Sequence, residues 1–367
     1  MTTRRTLLTA AMAGVAALAA GPIAARIDAP LPANRTGGGR YRPPGRLGMG
    51  GVALGNGFAP ATDEETFGAV QAAWDAGVRY FDTSPWYGLG LSERRFGAVL
   101  HDKPRDQFVL STKVGRLLRP DPVAAGRDLA TWRKIPPFRH EYDYSAAGIR
   151  RSIEDSLQRL GMAQLDIVFI HDISPDNGDM GPRWTEYFAQ AREGAMLELT
   201  RMREEGLIKA WGLGVNTLEP ALAAFEAADP DIILSATQYS LIKHEDALNR
   251  LFPVARRRGA SIIVGAPLNA GFLAGRDRYD YRGQMPAGAL EKRARMAAIA
   301  ERHGTDLRTA ALHFANANPT VAAIIPGARN ARQATENAAS MRTAIAPAFW
   351  AELKSERLIA ADAPVPA

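Results

Sequence analysis

The chain has 367 residues, 46% hydrophobic and 23% charged, with 45 Lys and Arg against 39 Asp and Glu for a formal net charge of +6. That is ample apolar material for a large buried core. Basic residues are spread along the chain, and the densest runs (Arg256, Arg257 and Arg258; Lys292, Arg293 and Arg295) fall in helical periodicity with no interleaved aromatics, so nucleic acid is not expected as a partner. The absence of cysteine excludes disulfides, thiolate-held iron–sulfur clusters and cysteine nucleophiles. The six histidines show no ligand spacing such as HExxH, and no metal is expected.

Residues 1–29 begin with Thr3-Arg4-Arg5-Thr6-Leu7-Leu8 and continue through a weakly apolar, Ala-rich stretch. This fits a twin-arginine leader and predicts the export machinery as a partner and a periplasmic or exported location. The apolar run is too short and too rich in Ala and Gly for a stable membrane anchor. The alternative is a basic tail on a cytoplasmic protein. Residues 30–46 are rich in Pro, Gly and Arg and read as a linker, with the fold expected over 47–363.

Eight short apolar runs follow, at residues 48–55, 78–84, 108–115, 165–172, 208–215, 231–238, 260–267 and 320–327. They read as strands buried on both faces. Between them lie stretches of helical period with start signals: Thr62-Asp63-Glu64-Glu65, then Tyr144-Ser145, then Asn216-Thr217. Eight strand–helix units predict an α/β fold of one domain, a closed (β/α)8 TIM barrel, with a doubly wound open sheet as the alternative. Insertions at 116–142 and 274–288 each follow a strand, so in a barrel they would be long loops on its C-terminal face.

Polar residues mark the strand ends: Asp82 on the second, Lys113 on the third, His171 on the fourth, Asn216 after the fifth and Gln238 on the sixth. A barrel would bring them to one mouth. A lysine inside STKVG is costly to bury unless paired, and the neighbouring strand supplies Asp82. The stretch FDTSPWYG adds Tyr87, whose phenol titrates near 10 when free; a nearby ammonium would lower it and suit it to proton transfer. On this reading Tyr87 moves the proton, Lys113 shifts its pKa, Asp82 anchors Lys113 and His171 positions the substrate oxygen.

From about Leu47 to Ala346 the chain resembles the aldo-keto reductase superfamily. The resemblance is carried by FDTSPWYGLGLSERRFG, STKVG, RSIEDSLQRLGMAQLDIVFIHD, WGLGVN, ATQYSLI and IPGARNARQATENAA. It implies a (β/α)8 barrel, a nicotinamide cofactor (NADP or NAD) across the C-terminal mouth, a small-molecule carbonyl substrate, and Asp82, Tyr87, Lys113 and His171 as the catalytic tetrad. It further implies that Asn216 and Gln238 bind the carboxamide and that Pro267 and Leu268 lie along the cofactor. Gly327, Arg329, Gln333, Glu336 and Asn337 would hold the adenosine end. Arg329 suits a 2′-phosphate, whereas Gln333 stands where many members have arginine. Gly265 falls where many members carry a ring that stacks on the nicotinamide, and Val215 replaces a common serine.

VGAPLNAGFLAG, the insertion after STKVG, and His171-Asp172 are most similar to the branch containing the aldose 1-dehydrogenases and pyridoxal 4-dehydrogenase. That implies oxidation of a cyclic hemiacetal to a lactone. The alternatives are a general NADPH-dependent aldehyde or ketone reductase and a cofactor-binding regulatory or sensor subunit. By loop position Trp86, Trp132, Phe138 and Tyr142 are expected to supply substrate walls.

Overall fold

The computed structural model describes residues 29–35, 40–281 and 284–366, so residues 1–28, which carry nearly all of the twin-arginine segment, lie outside the described residues. Eight parallel strands alternate with helices: β1 (Met49–Gly50), β2 (Tyr80–Asp82), β3 (Val109–Val114), β6 (Ile167–His171), β7 (Ala210–Val215), β8 (Ile232–Ala236), β9 (Ser261–Gly265) and β10 (Val321–Ile325) pair in that order. The ring closes where Leu47 and Gly50 bridge in parallel to Ile324 and Gly327, with Gly48 N–H donating to Ile324 O at 2.8 Å. The barrel expectation is met and the open sheet is excluded. β4 (Arg116–Pro120) and β5 (Phe138–Tyr142) are the arms of an antiparallel hairpin, so the first insertion is a folded flap rather than a plain loop.

Alternation along the strands divides the core in two. In β6, Ile167 and Phe169 belong to the cluster inside the barrel, whereas Val168 and Ile170 belong to the layer under the helices. The helix signals act as read at two of three places. Thr62 and Glu65 form a reciprocal capping box at the start of α1 (Asp63–Asp75), and Ser145 Oγ accepts Gly148 N–H at the start of α3 (Ala146–Leu160). At the third, helix α6 (Glu219–Ala227) starts after Leu218 without a side-chain cap, because Asn216 is turned to partners in the barrel mouth.

Residues 40–46 lie against the amino-terminal ends of the strands. Arg40 pairs with Asp229 and Asp231, Tyr41 packs on the inner-barrel cluster, and Asn34 Nδ2 donates to Ala322 O at 2.7 Å. One end of the barrel is thereby covered. Among the described residues no helix is long and apolar enough to cross a membrane.

Candidate active site

The opposite end, where the strands finish, opens into a cavity of about 970 Å³. Asp82 at the end of β2 and Lys113 in β3 meet there, Nζ lying 2.7 Å from Asp82 Oδ2 and 2.9 Å from Thr83 O, with each side chain 1% exposed. Ser111 Oγ donates to the other carboxylate oxygen at 2.7 Å. Burial pushes the Asp82 carboxyl above and the Lys113 ammonium below their usual ranges, and their mutual attraction opposes both shifts.

Tyr87 follows on a tight turn in which its N–H donates to Ser84 O at 3.0 Å. The turn lies directly on Gly55: a Cβ there would fall 2.5 Å from the Tyr87 carbonyl carbon, so only glycine permits the approach. Lys113 Nζ stands 4.4 Å from the Tyr87 ring centroid, and the His171 ring 5.7 Å from it. The tetrad expected from the sequence therefore converges on one wall of the cavity.

The electrostatics of Tyr87 differ from the expectation. Burial, then the charges of Asp82, Tyr281 and Asp172, hold its phenol well above the ordinary tyrosine range, opposed by Arg116. Lys113 does not reverse this, because its ammonium is spent on Asp82 and Thr83 O. His171 goes the other way: burial, then the cations Arg116 and Lys113, hold it well below the usual histidine range and keep the ring neutral. Its Nδ1 lies 3.0 Å from Ser84 Oγ.

The cofactor candidates line the same cavity. Asn216, Gln238, Pro267 and Leu268 follow β7, β8 and β9; Gly327, Arg329, Gln333, Glu336 and Asn337 surround the start of α10 (Ala331–Arg342). Gln333 Oε1 accepts Arg329 N–H at 2.9 Å. Arg329 Nη2 donates to Gly57 O at 3.0 Å, while its buried Nε has no partner. Glu336 binds Arg308 at 2.7 Å and Arg332 at 2.9 Å, so it holds two further arginines on the wall. A cavity of this volume lined by amides from the strand ends and by guanidinium groups beside a helix start fits a nicotinamide dinucleotide.

Gly265 leaves its position without a ring, and a Cβ there would already come within 3.0 Å of Leu234. Tyr281, from the loop after β9, packs on the inner-barrel cluster instead and stacks on Phe58 with ring centroids 6.3 Å apart.

Of the substrate-wall candidates, Trp86 and Trp132 line the cavity and meet edge to face at 5.9 Å. Phe138 and Tyr142 do not line it, which corrects the expectation. The hairpin packs Phe138 against the cluster of Trp86 and Trp132, and places Tyr142 behind Arg116. Ser84, Arg116, Asp172 and Tyr281 were not among the expected site residues. Arg116, two residues past the third strand, and Ser84 and Asp172, inside the quoted FDTSPWYG and His171-Asp172 stretches, were the readable signals; Tyr281 shows no pattern outside the fold.

The aldo/keto reductase family model matches residues 46–357. The chain is 37% identical over 321 residues to D-threo-aldose 1-dehydrogenase of a Pseudomonas species, and 34% identical over 331 residues to pyridoxal 4-dehydrogenase of Microbacterium luteolum; each match covers 85% of this chain and 94% of the relative. Its fold is similar to that of an aldo-keto reductase from Bacillus halodurans in its holo form, with a TM-score of 0.65, 20% identity, and 88% and 94% of the two chains covered. A closed barrel whose strand ends gather an acid, a lysine, a tyrosine and a histidine beside a large cavity, matched by the family model over that barrel, places this chain in the aldo/keto reductase family, as an NAD(P)-dependent oxidoreductase.

Proposed function

We propose that the protein oxidises the hemiacetal carbon of an aldose or a pyridoxal-like compound to a lactone, with Tyr87, Lys113, Asp82 and His171 as its catalytic group. The observation that carries this reading is the placement of Tyr87 and His171 side by side, 5.7 Å between centroids, on the cavity wall above the buried Lys113–Asp82 pair. Likeness to two dehydrogenases of hemiacetal-forming substrates supports the direction.

The nicotinamide, when bound, supplies the hydride acceptor. The chain supplies the rest. Tyr87 takes the hydroxyl proton as the hydride departs, and returns it to a carbonyl oxygen in the reverse direction. Neutral His171 donates from Nε2 to the same oxygen and orients it. Lys113 and Asp82 set a fixed dipole beneath the phenol without exchanging protons themselves. Asn216 and Gln238 would hold the carboxamide, and Arg329 with Gln333 the adenosine end, of NADP or NAD.

The test mixes the protein with NAD or NADP and pyridoxal, L-fucose, D-arabinose or D-galactose and follows absorbance at 340 nm. Reduced cofactor should form with wild type and not with Tyr87→Phe. Consumption of NADPH by simple aldehydes, without any oxidation of the panel, would replace this reading with that of a general reductase.

Residues 1–29 are proposed as a twin-arginine leader that brings the folded chain to the periplasm, on the strength of Arg4-Arg5 and the weak apolar run after them. Cell fractionation of wild type against a variant with both arginines changed to lysine tests this. Equal amounts in the cytoplasm for both would refute it.

A further inference from the structure

Two charged groups on the cavity wall, Arg116 and Asp172, belong neither to the tetrad nor to the expected cofactor residues, although Asp172 Oδ1 accepts Asn216 Nδ2 at 3.5 Å. Arg116, at the start of β4, is 3% exposed. Its guanidinium lies between two rings, 4.9 Å from the Trp86 centroid and 5.1 Å from that of Tyr142. Nη2 donates to Asp172 Oδ2 at 3.2 Å and to Tyr142 Oη at 3.3 Å, while Nε and Nη1 are buried without partners. A buried cation with two N–H groups unpartnered, held in place by Asp172 and two rings, is the kind of group that gathers at functional sites.

Its partner, Asp172, has φ of +48°, in the left-handed region that Asp enters more readily than most other non-glycine residues. The backbone is locked there by Asp172 N–H to Gly214 O at 2.9 Å and by Asn177 Nδ2 to Asp172 O at 3.0 Å. As a result Asp172 Oδ2 lies 3.5 Å from His171 Nε2 as well as 3.2 Å from Arg116. The carboxylate therefore abuts the nitrogen proposed above to donate to the reacting oxygen.

A carboxylate at that spot accepts hydrogen bonds and repels anions, so the substrate group beside the reacting carbon must be a neutral donor. Vicinal oxygens of a sugar lie within hydrogen-bonding distance of one another, so an oxygen held by His171 places its neighbour at Asp172. We propose that Asp172, oriented by Arg116, reads the hydroxyl on the carbon next to the reacting one, and so selects α-hydroxy aldehydes and aldoses over substrates that lack it. The inference rests on Tyr87 and His171 being the reacting pair, as proposed above.

The experiment compares kcat/KM for substrates paired by that one hydroxyl, using the purified full-length chain. In the oxidative direction the pairs are L-fucose with 2-deoxy-L-fucose and D-galactose with 2-deoxy-D-galactose. In the reductive direction the pair is glyceraldehyde with propanal. Wild type should prefer the hydroxylated member, and Asp172→Asn should shrink that preference about 100-fold, the scale of a lost hydrogen bond in a site built for it. Arg116→Met should shrink it less and act more on KM than on kcat. Nucleotide affinity from fluorescence quenching and the melting temperature show whether each variant is folded.

Equal proportional losses on both members of a pair would overturn the assignment of Asp172 and leave the dehydrogenase reading standing. Preference in the reductive pair alone, erased by Asp172→Asn, would support the assignment while refuting the oxidative reading. A wild type inert in both directions would overturn the two together.

Discussion

Ser84 Oγ lies 3.0 Å from His171 Nδ1 and accepts the Trp86 amide hydrogen at 3.1 Å. That bond uses one of the oxygen's two acceptor sites, and the hydroxyl's own hydrogen can be given to Nδ1. When Ser84 donates in this way, the imidazole, held neutral by burial and by Arg116 and Lys113, carries its proton on Nε2. One serine in the FDTSPWYG turn thus decides which way His171 presents its hydrogen.

Replacing that serine is the direct check. Ser84→Ala should lower kcat/KM by roughly tenfold, about 1–2 kcal/mol for one orienting hydrogen bond. Nucleotide affinity should stay within a few-fold of wild type. Activity equal to wild type would show that the tautomer is set by something else.

The Lys113–Asp82 pair is buried, with both side chains 1% exposed. Breaking such a pair from one side leaves an uncompensated charge and costs about 3–5 kcal/mol. Asp82→Asn should show this as a lower urea midpoint. Combining it with Lys113→Met should recover part of the stability, because no charge then remains buried, yet activity should stay lost.

Tyr87 should give the reaction an asymmetric pH dependence. Its phenol is held well above the ordinary range, so near neutrality the protonated form dominates. Oxidation needs the phenolate as base and should accelerate steadily as pH rises from 7 to 9.5, roughly in proportion to the ionised fraction. Reduction uses the phenol as acid and should stay flat over that interval. A flat oxidative profile would remove Tyr87 from the proton transfer.

Acid stability should depend on the buried His244. Its Nδ1 lies 3.1 Å from Ser240 O and its Nε2 accepts Ala360 N–H at 3.1 Å, an arrangement only the neutral ring satisfies. Burial, then Lys292, lowers its pKa to about 4. The unfolded chain takes up this proton first on acidification. The contribution is whole above about pH 6.5 and is lost as pH falls toward 4, amounting to about 3 kcal/mol. His244→Gln should be less stable than wild type at pH 7.5 and lose less on going to pH 4.5, as read by melting temperature.

The eight strands, the barrel, the Thr62 and Ser145 helix starts and the tetrad were legible in the residues because each depends on local pattern. Strands buried on both faces read as apolar runs, capping boxes as fixed offsets, and a lysine within an apolar strand as a cost that demands an acid nearby. Where reading by position failed, long-range pairing was responsible. Phe138 and Tyr142 left the substrate wall because antiparallel pairing of Arg116–Pro120 with Phe138–Tyr142 set their direction. Register across a hairpin is decided by both arms at once.

By itself, then, the sequence determined which residue types stand at the strand ends and that an acid and a lysine must neutralise each other there. Only the tertiary structure decided the fields those residues feel. Tyr87 is raised rather than lowered because burial and then the Asp82 carboxylate act on it, while the Lys113 ammonium is engaged by Asp82 and Thr83 O. Asp172 faces the site because Gly214 and Asn177, distant in the chain or across a turn, hold its backbone in a left-handed conformation. Charge–charge interactions depend on distance and burial in three dimensions, and those two quantities are not written along the chain.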